Sequence, residues 1–255
     1  MTTWLSGGGA RTDAAVRLFC FPHAGGGTSF FRPWRAALAP EIDVRTVVLP
    51  GREGRLRERP YVDLERLIDP LFEALEPHAD RPFALLGHSL GAIIAFETAR
   101  RFSVSRVGPP ACLFVSGRRA PHLPARRRRL ASLPPDELVE ALAELNGTAA
   151  EMLRQRDVLD VFLPCLRADL QINETYAPLA ASRLPCPISA AFGAADPEVD
   201  MEEMWAWRRA TTGRFRLRVF PGDHFYLRAA PRQLVAAIRE DLGRVATPGV
   251  PSGWD

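Results

Sequence analysis

A chain of 255 residues, 47% hydrophobic and 25% charged, has the length and composition of one soluble α/β domain of ordinary size with a real core. A net charge of +3, without interleaved aromatic and basic residues, argues against nucleic acid as a partner. The polar, glycine-rich stretch from 1 to 15 lacks the apolar segment of a signal peptide, and no run reaches the roughly 20 apolar residues of a membrane helix, so a cytoplasmic protein with no membrane partner is expected.

The first strand signal is VRLFCF (16 to 21), running into the glycine-rich FPHAGGG. Such a turn aims backbone N–H groups at an anion, because glycine tolerates φ > 0 and has no Cβ to block approach. Phosphate would require a Lys-Ser/Thr pair or GxGxxG spacing; neither follows, and the chain contains no lysine. An oxyanion loop instead predicts a nucleophile further along. PWRAALA then reads as helix and VRTVVL (44 to 49) as strand, followed by the helical VDLERLIDPLFEAL, where Pro70 predicts a kink or a break.

The nucleophile is found at PFALLGHSLGAIIAF. Gly87, His88, Ser89, Leu90 and Gly91 match G-x-S-x-G directly after the strand PFALLG (82 to 87) and before the helix GAIIAFETARRF, which is the context the motif needs. The flanking glycines let strand and helix pass closely around a strained serine. ACLFVSG (111 to 117) is the next strand. The β-α rhythm then fails from 119 to about 180, where LPPDELVEALAELNG and AAEMLRQRDVLDVFLPCLRADLQINETY are helical, an insertion positioned to act as a lid. PISAAFG (187 to 193), MEEMWAWRRA and RFRLRVF (214 to 220) restore the rhythm, and the tail ATPGVPSGWD is expected to fray. The alternation implies a mostly parallel sheet with helices on both faces, its first five strands mostly buried.

Serine needs a base. His88 adjoins Ser89 and is expected to turn its side chain away as a packing residue at the pocket rim; His23 belongs to the glycine loop, His78 to a polar connection and His122 to the insertion. His224, in VFPGDHFYL after the last strand, satisfies the chain order Ser, acid, His of α/β hydrolases. Asp196, just past a strand in AAFGAADPEVD, supplies the acid that fixes the imidazole; Asp200 is the fallback, and Asp223 is too close to His224 in sequence. The fold class is therefore α/β, of the α/β-hydrolase type, with a core over 1–118 and 181–255 and a helical lid over 119–180. The backbone amides of Leu90 and Ala24 form the expected oxyanion hole. Cys20, Cys112, Cys165 and Cys186 show no CxxC pair and are expected as reduced thiols, mostly in the core; no metal or cofactor site is expected.

RLFCFPHAGGG, VVLPGREGR, FALLGHSLGAIIAFETA, FVSGRRAP, FGAADP and PGDHFYL, in this order between about 16 and 228, resemble the type II thioesterases, stand-alone editing hydrolases of polyketide and nonribosomal peptide synthesis. Ser89, Asp196 and His224 fall on that family's triad positions, and Ala24 and Leu90 on its oxyanion positions. The resemblance implies a substrate, a short or aberrant acyl group held as a thioester on the phosphopantetheine arm of an acyl or peptidyl carrier protein, which would bind only transiently. A chain beginning at Met1 with one hydrolase domain resembles the free-standing form, expected as a monomer. Arg118, Arg119 and Arg126 to Arg129 are placed to steer an acidic carrier, or to form a solvated basic face. A carboxylesterase or lipase with the same triad, an acyltransferase, and a catalytically dead carrier-binding protein are the rival readings. The intact triad residues argue against the last.

Overall fold

The computed structural model describes residues 4–6, 13–124, 129–143, 156–178, 183–228 and 231–243. The strands are the two-residue β1 (Leu5–Ser6) and six of four to six residues: β2 (Val16–Phe21), β3 (Ile42–Val47), β4 (Phe83–His88), β5 (Leu113–Ser116), β6 (Ile188–Gly193) and β7 (Phe215–Phe220). They form one sheet in the order β1-β3-β2-β4-β5-β6-β7, parallel throughout except for β1, which pairs antiparallel with β3. Strands β2 to β6 are buried along their whole length, whereas β7 at the edge is mostly half-buried. Mostly apolar runs suit strands covered on both faces, and the charges that β2 and β3 bury, Arg17, Asp43 and Arg45, pair with one another; Arg216 and Arg218 of the edge strand β7 pair with Glu240 and Asp241.

The helices are α1 (Arg32–Leu38), α2 (Leu64–Leu75), α3 (Leu90–Ser103), α4 (Pro135–Ala143), α5 (Arg156–Thr175), α6 (Met201–Trp205) and α7 (Arg232–Gly243). One core layer packs α2, α3 and Met204 of α6 on the sheet; the opposite layer packs Trp34 and Leu38 of α1 with Leu234, Ile238 and Leu242 of α7. Of the kink or break expected at Pro70, the break does not occur: α2 runs through it. Pro70 removes the donor to the carbonyl of Arg66, one turn earlier, and Arg66 lies on the exposed face where water can satisfy that oxygen. Asp63 caps the same helix by accepting the Glu65 N–H at 2.8 Å.

Between β5 and β6 the described residues hold α4 and α5 and no strand. Leu138, Val139, Leu159, Leu166 and Leu170 of these helices make a third, separate apolar cluster, against which Ala24 packs. Parts of the expected insertion (125–128, 144–155 and 179–180) and the tail lie outside the described residues. All four cysteines are buried free thiols. Among the described residues no helix is long and apolar enough to cross a membrane.

Candidate active site

Ser89 stands between β4 and α3 at φ +55, ψ −120, a conformation that costs energy for any residue with a Cβ. The neighbouring glycines make it possible. A Cβ on Gly87 would lie 2.1 Å from the Gly91 carbonyl oxygen, and one on Gly91 would lie 2.0 Å from the Phe21 carbonyl oxygen. Strand, turn and helix therefore pass at backbone contact, and the serine is carried at the head of α3.

His224 follows β7 and Asp196 follows β6, and the fold brings them together. The His224 Nδ1 lies 3.0 and 2.9 Å from the two Asp196 carboxylate oxygens, with both side chains almost wholly buried. Asp196 is itself fixed, since its Oδ1 accepts the Glu198 N–H at 2.8 Å and its own N–H bonds Gly193 O at 3.0 Å. The fallback acid is engaged elsewhere: Asp200 caps α6 in a reciprocal box with Glu203. Asp223 accepts the Phe225 N–H at 2.8 Å.

The His224 ring lies beside the serine turn. Its centroid is 4.8 Å from that of His88, the residue before Ser89, and a Cβ on Gly117 would meet both rings, at 2.9 Å from His88 Cε1 and 3.1 Å from His224 Cε1. His88 is a packing residue, as the sequence suggested, but one inside the core and not at a rim. It is fully buried, stacked on Phe30, with Nδ1 3.0 Å from Ser116 Oγ, which in turn sits 2.9 Å from Tyr226 Oη. Burial first, then the neighbouring His224 and His23, push its pKa well below 6.5, so it remains a neutral packing ring. His23 is lowered to about 3 by burial, aided by His224, Arg228 and Arg52. Neither ring is suited to taking a proton from serine.

Ala24 belongs to a turn in which the Gly26 N–H bonds His23 O at 2.8 Å and Gly25 takes φ +71. In the planar trans peptide joining His23 to Ala24, N–H and C=O point oppositely, so fixing the His23 carbonyl in the turn directs the Ala24 N–H outward. Among the described residues the Ala24 and Leu90 amides donate to no protein group, and Leu90 is the first residue of α3, where an N–H is free by helix geometry. Among the described residues no cluster of His, Cys, Asp or Glu has the geometry to hold a metal ion.

The arginines expected at the surface behave differently. Arg118 turns inward to Asn173 of α5, its pKa lowered to about 10 chiefly by burial, and Arg119 pairs with Glu203 at 3.1 Å. Both are drawn inward by partners outside their own loop, which the sequence does not display. Arg129 is exposed, and Arg126 to Arg128 lie outside the described residues.

Sequence reasoning also missed Arg52 and Asp169. Arg52 of the loop after β3 forms a two-pronged pair with Asp169 of α5, both bonds 2.8 Å and both side chains buried. The signal available was an aspartate on the buried stripe of α5 formed by Cys165, Leu166, Asp169 and Ile172.

A serine on a strained strand-to-helix turn, a buried aspartate-histidine pair and a mostly parallel sheet define a hydrolase of the α/β type. The chain belongs to the thioesterase domain family, whose model matches residues 16–242, and is a thioester hydrolase. It is similar to the thioesterase RedJ of the prodiginine biosynthetic pathway in Streptomyces coelicolor, 41% identical with a TM-score of 0.84 over 91% of this chain and 87% of that one. The type II thioesterase BorB of the borrelidin biosynthetic cluster is 39% identical, with a TM-score of 0.84 over 94% of this chain and 97% of its own. Thioesterase PikA5 of Streptomyces venezuelae is 38% identical over 94% of this chain and 84% of its own length.

Proposed function

We propose that this thioesterase removes short or aberrant acyl groups from the phosphopantetheine arm of acyl or peptidyl carrier proteins in polyketide or nonribosomal peptide synthesis, in the cytoplasm. Relatives named as type II thioesterases of such pathways support the substrate class. The observation that carries the chemistry is the Asp196–His224 pair, at 2.9 and 3.0 Å, beside the strained Ser89 turn.

In this reading Ser89 Oγ attacks the thioester carbonyl while His224 Nε2 takes its proton; Asp196, bonded to Nδ1, holds the tautomer and stabilises the imidazolium. The carbonyl electron pair moves onto oxygen, where the Leu90 and Ala24 amides receive it; each such donor is worth about a hundred- to a thousandfold in rate. Collapse re-forms the carbonyl and breaks the C–S bond, and the departing sulfur takes the proton from His224. A thiol with a pKa of roughly 8.5 leaves more readily than an alkoxide, so this step needs little help from the acid. Water, deprotonated by His224, then attacks the acyl-serine, and the acid is released with Ser89 restored.

The helices between β5 and β6 form the lid over the site, within the insertion 119–180. Steering of an acidic carrier rests with the Arg126 to Arg129 run, because Arg118 and Arg119 are engaged inward. The test compares hydrolysis of one short acyl group from a carrier protein, a small thiol and a phenol ester, with Ser89→Ala as control. Preference for the carrier-bound thioester and an inactive variant are expected. A preference for the phenol ester with the carrier ignored would make the enzyme a carboxylesterase with the same triad.

A further inference from the structure

The buried Arg52–Asp169 pair lies outside the catalytic residues, yet it joins the two segments on which Ala24 depends. Asp169 Oδ2 accepts the Gly25 N–H at 2.7 Å as well as Arg52 Nη1 at 2.8 Å, and Oδ1 accepts Arg52 Nη2 at 2.8 Å. Arg52 Nη1 also donates to Gly26 O at 3.1 Å. One guanidinium and one carboxylate thus hold the peptide groups on the C-terminal side of Ala24, where Gly25 and Gly26 have no side chains to anchor them.

The packing repeats the arrangement. A Cβ on Gly25 would lie 3.1 Å from Leu166 Cδ1, and one on Gly51, at φ +84, would lie 3.1 Å from Cys165 Cβ, so α5 seats on both loops at glycines. Downstream, Glu53 takes φ +49, and its carboxylate accepts the Thr28 N–H at 2.7 Å and the Thr28 hydroxyl at 3.0 Å, holding the far end of the same loop. Strain of this kind persists where the surroundings over-determine it. Burial alone would lower the Arg52 pKa, but the Asp169 carboxylate outweighs it and leaves the pKa raised.

We propose that Asp169 and Arg52 are positioning residues that set the Ala24 amide for the oxyanion, so that the oxyanion hole is complete only while α5 is seated on the core. This rests on the serine mechanism proposed above. Two further bonds fasten the same end of the insertion, Arg118 to Asn173 and Tyr176 Oη to Glu97 Oε1 at 2.8 Å, but neither touches the glycine loop.

The test uses the full chain carrying Arg52→Met with Asp169→Leu, which removes both charges together. Replacing a whole buried pair by apolar groups is tolerated far better than stranding one charge. Asp169→Asn, which leaves a single neutral oxygen where the carboxylate served both Gly25 and the two Arg52 nitrogens and so weakens these bonds, carries the same readouts if the double variant does not fold. Three quantities are read: amide exchange at Gly25, kcat and KM on a small thioester, and affinity for a short alkyl trifluoromethyl ketone, to which Ser89 Oγ adds to leave an oxyanion in the hole. The expected result is faster Gly25 exchange and a kcat lower by about ten- to a hundredfold at nearly constant KM. Ketone affinity falls in parallel with kcat, while the pH at which activity rises is unchanged because His224 and Asp196 are untouched. Unchanged Gly25 exchange, or faster exchange with undiminished kcat and ketone affinity, overturns the positioning role while Ser89→Ala is inactive. Turnover that survives Ser89→Ala overturns the serine mechanism, and the catalytic part of this proposal with it, whatever the exchange shows.

Discussion

Replacing His88 by phenylalanine should make the protein less sensitive to acid. His88 is fully buried with its ring stacked on Phe30, and its pKa lies well below 6.5 through burial, then through His224 and His23. In the unfolded chain the same imidazole takes up a proton near pH 6.5. The unfolded state therefore binds more protons, and the stability present above pH 6.5 is lost as pH falls below it, until the folded pKa is reached. For one histidine that stays neutral when folded, the loss between pH 7.5 and 5.5 is about 1.4 kcal/mol. His23 adds to the same limb. Phenylalanine suits the site, because the His88 ring is bordered by Phe30 and Phe225 and because Ser116 Oγ keeps Tyr226 Oη at 2.9 Å when Nδ1 is gone. Urea midpoints followed by tryptophan fluorescence at both pH values measure the difference. The His88→Phe protein should lose about 1.4 kcal/mol less than the parent over this range. Equal losses in the two proteins would show that His88 is not held neutral, and the argument from burial would fail.

Asp196→Asn should lower kcat by on the order of 10⁴-fold, since the imidazole loses the partner that sets its tautomer. Asp200→Ala should leave kcat in place and cost about 1 kcal/mol of stability through the lost cap of α6; the reverse pattern in steady-state rates and urea midpoints would exchange their roles. Gly91→Ala places a methyl 2.0 Å from a backbone oxygen of β2, so the serine turn must shift and kcat should fall about a hundredfold; parental kcat would show that strand and helix have room to spare. Neutralising Arg126 to Arg129 should slow turnover of carrier-bound substrate and spare small thioesters, and equal effects on both would remove these residues from docking.

The features legible in the sequence are those written in neighbouring residues. VRLFCF is β2 to the residue, and the other runs fall within two residues of their strands at either end, because strands buried on both faces are mostly apolar and pair the few charges they bury, as Arg17 and Arg45 do with Asp43. The serine turn was visible because its steric demands fall two residues away on either side. The two-residue β1 gave no signal, since its place depends on pairing with β3 and not on its own composition. At Pro70 the sequence left kink and break open, because a proline does not reveal which face of the helix it occupies; the helix is not broken there. Arg118 and Arg119 misled because a charge counts as exposed until its partner is seen, and Asn173 and Glu203 lie 55 and 84 residues away.

The same distinction explains why residues as distant as 24, 89, 196 and 224 could be tied to one place before any coordinates. In a parallel sheet every strand delivers its C-terminal end to the same edge, so the loops after β2, β4, β6 and β7 must gather there. Ala24, Ser89, Asp196 and His224 follow those four strands. The chain between β5 and β6 leaves from that edge too, so α5 needs no special device to reach the glycine loop. Topology alone brings α5 to the right edge, but it does not choose which of its residues faces Gly25. That choice falls to one aspartate on an otherwise apolar stripe, whose partner Arg52 lies 117 residues earlier in the chain. Burying that charge without Arg52 would cost several kcal/mol. The pair is therefore tolerable only in the arrangement that also holds the loop, which makes its presence an argument for the geometry as well as a consequence of it.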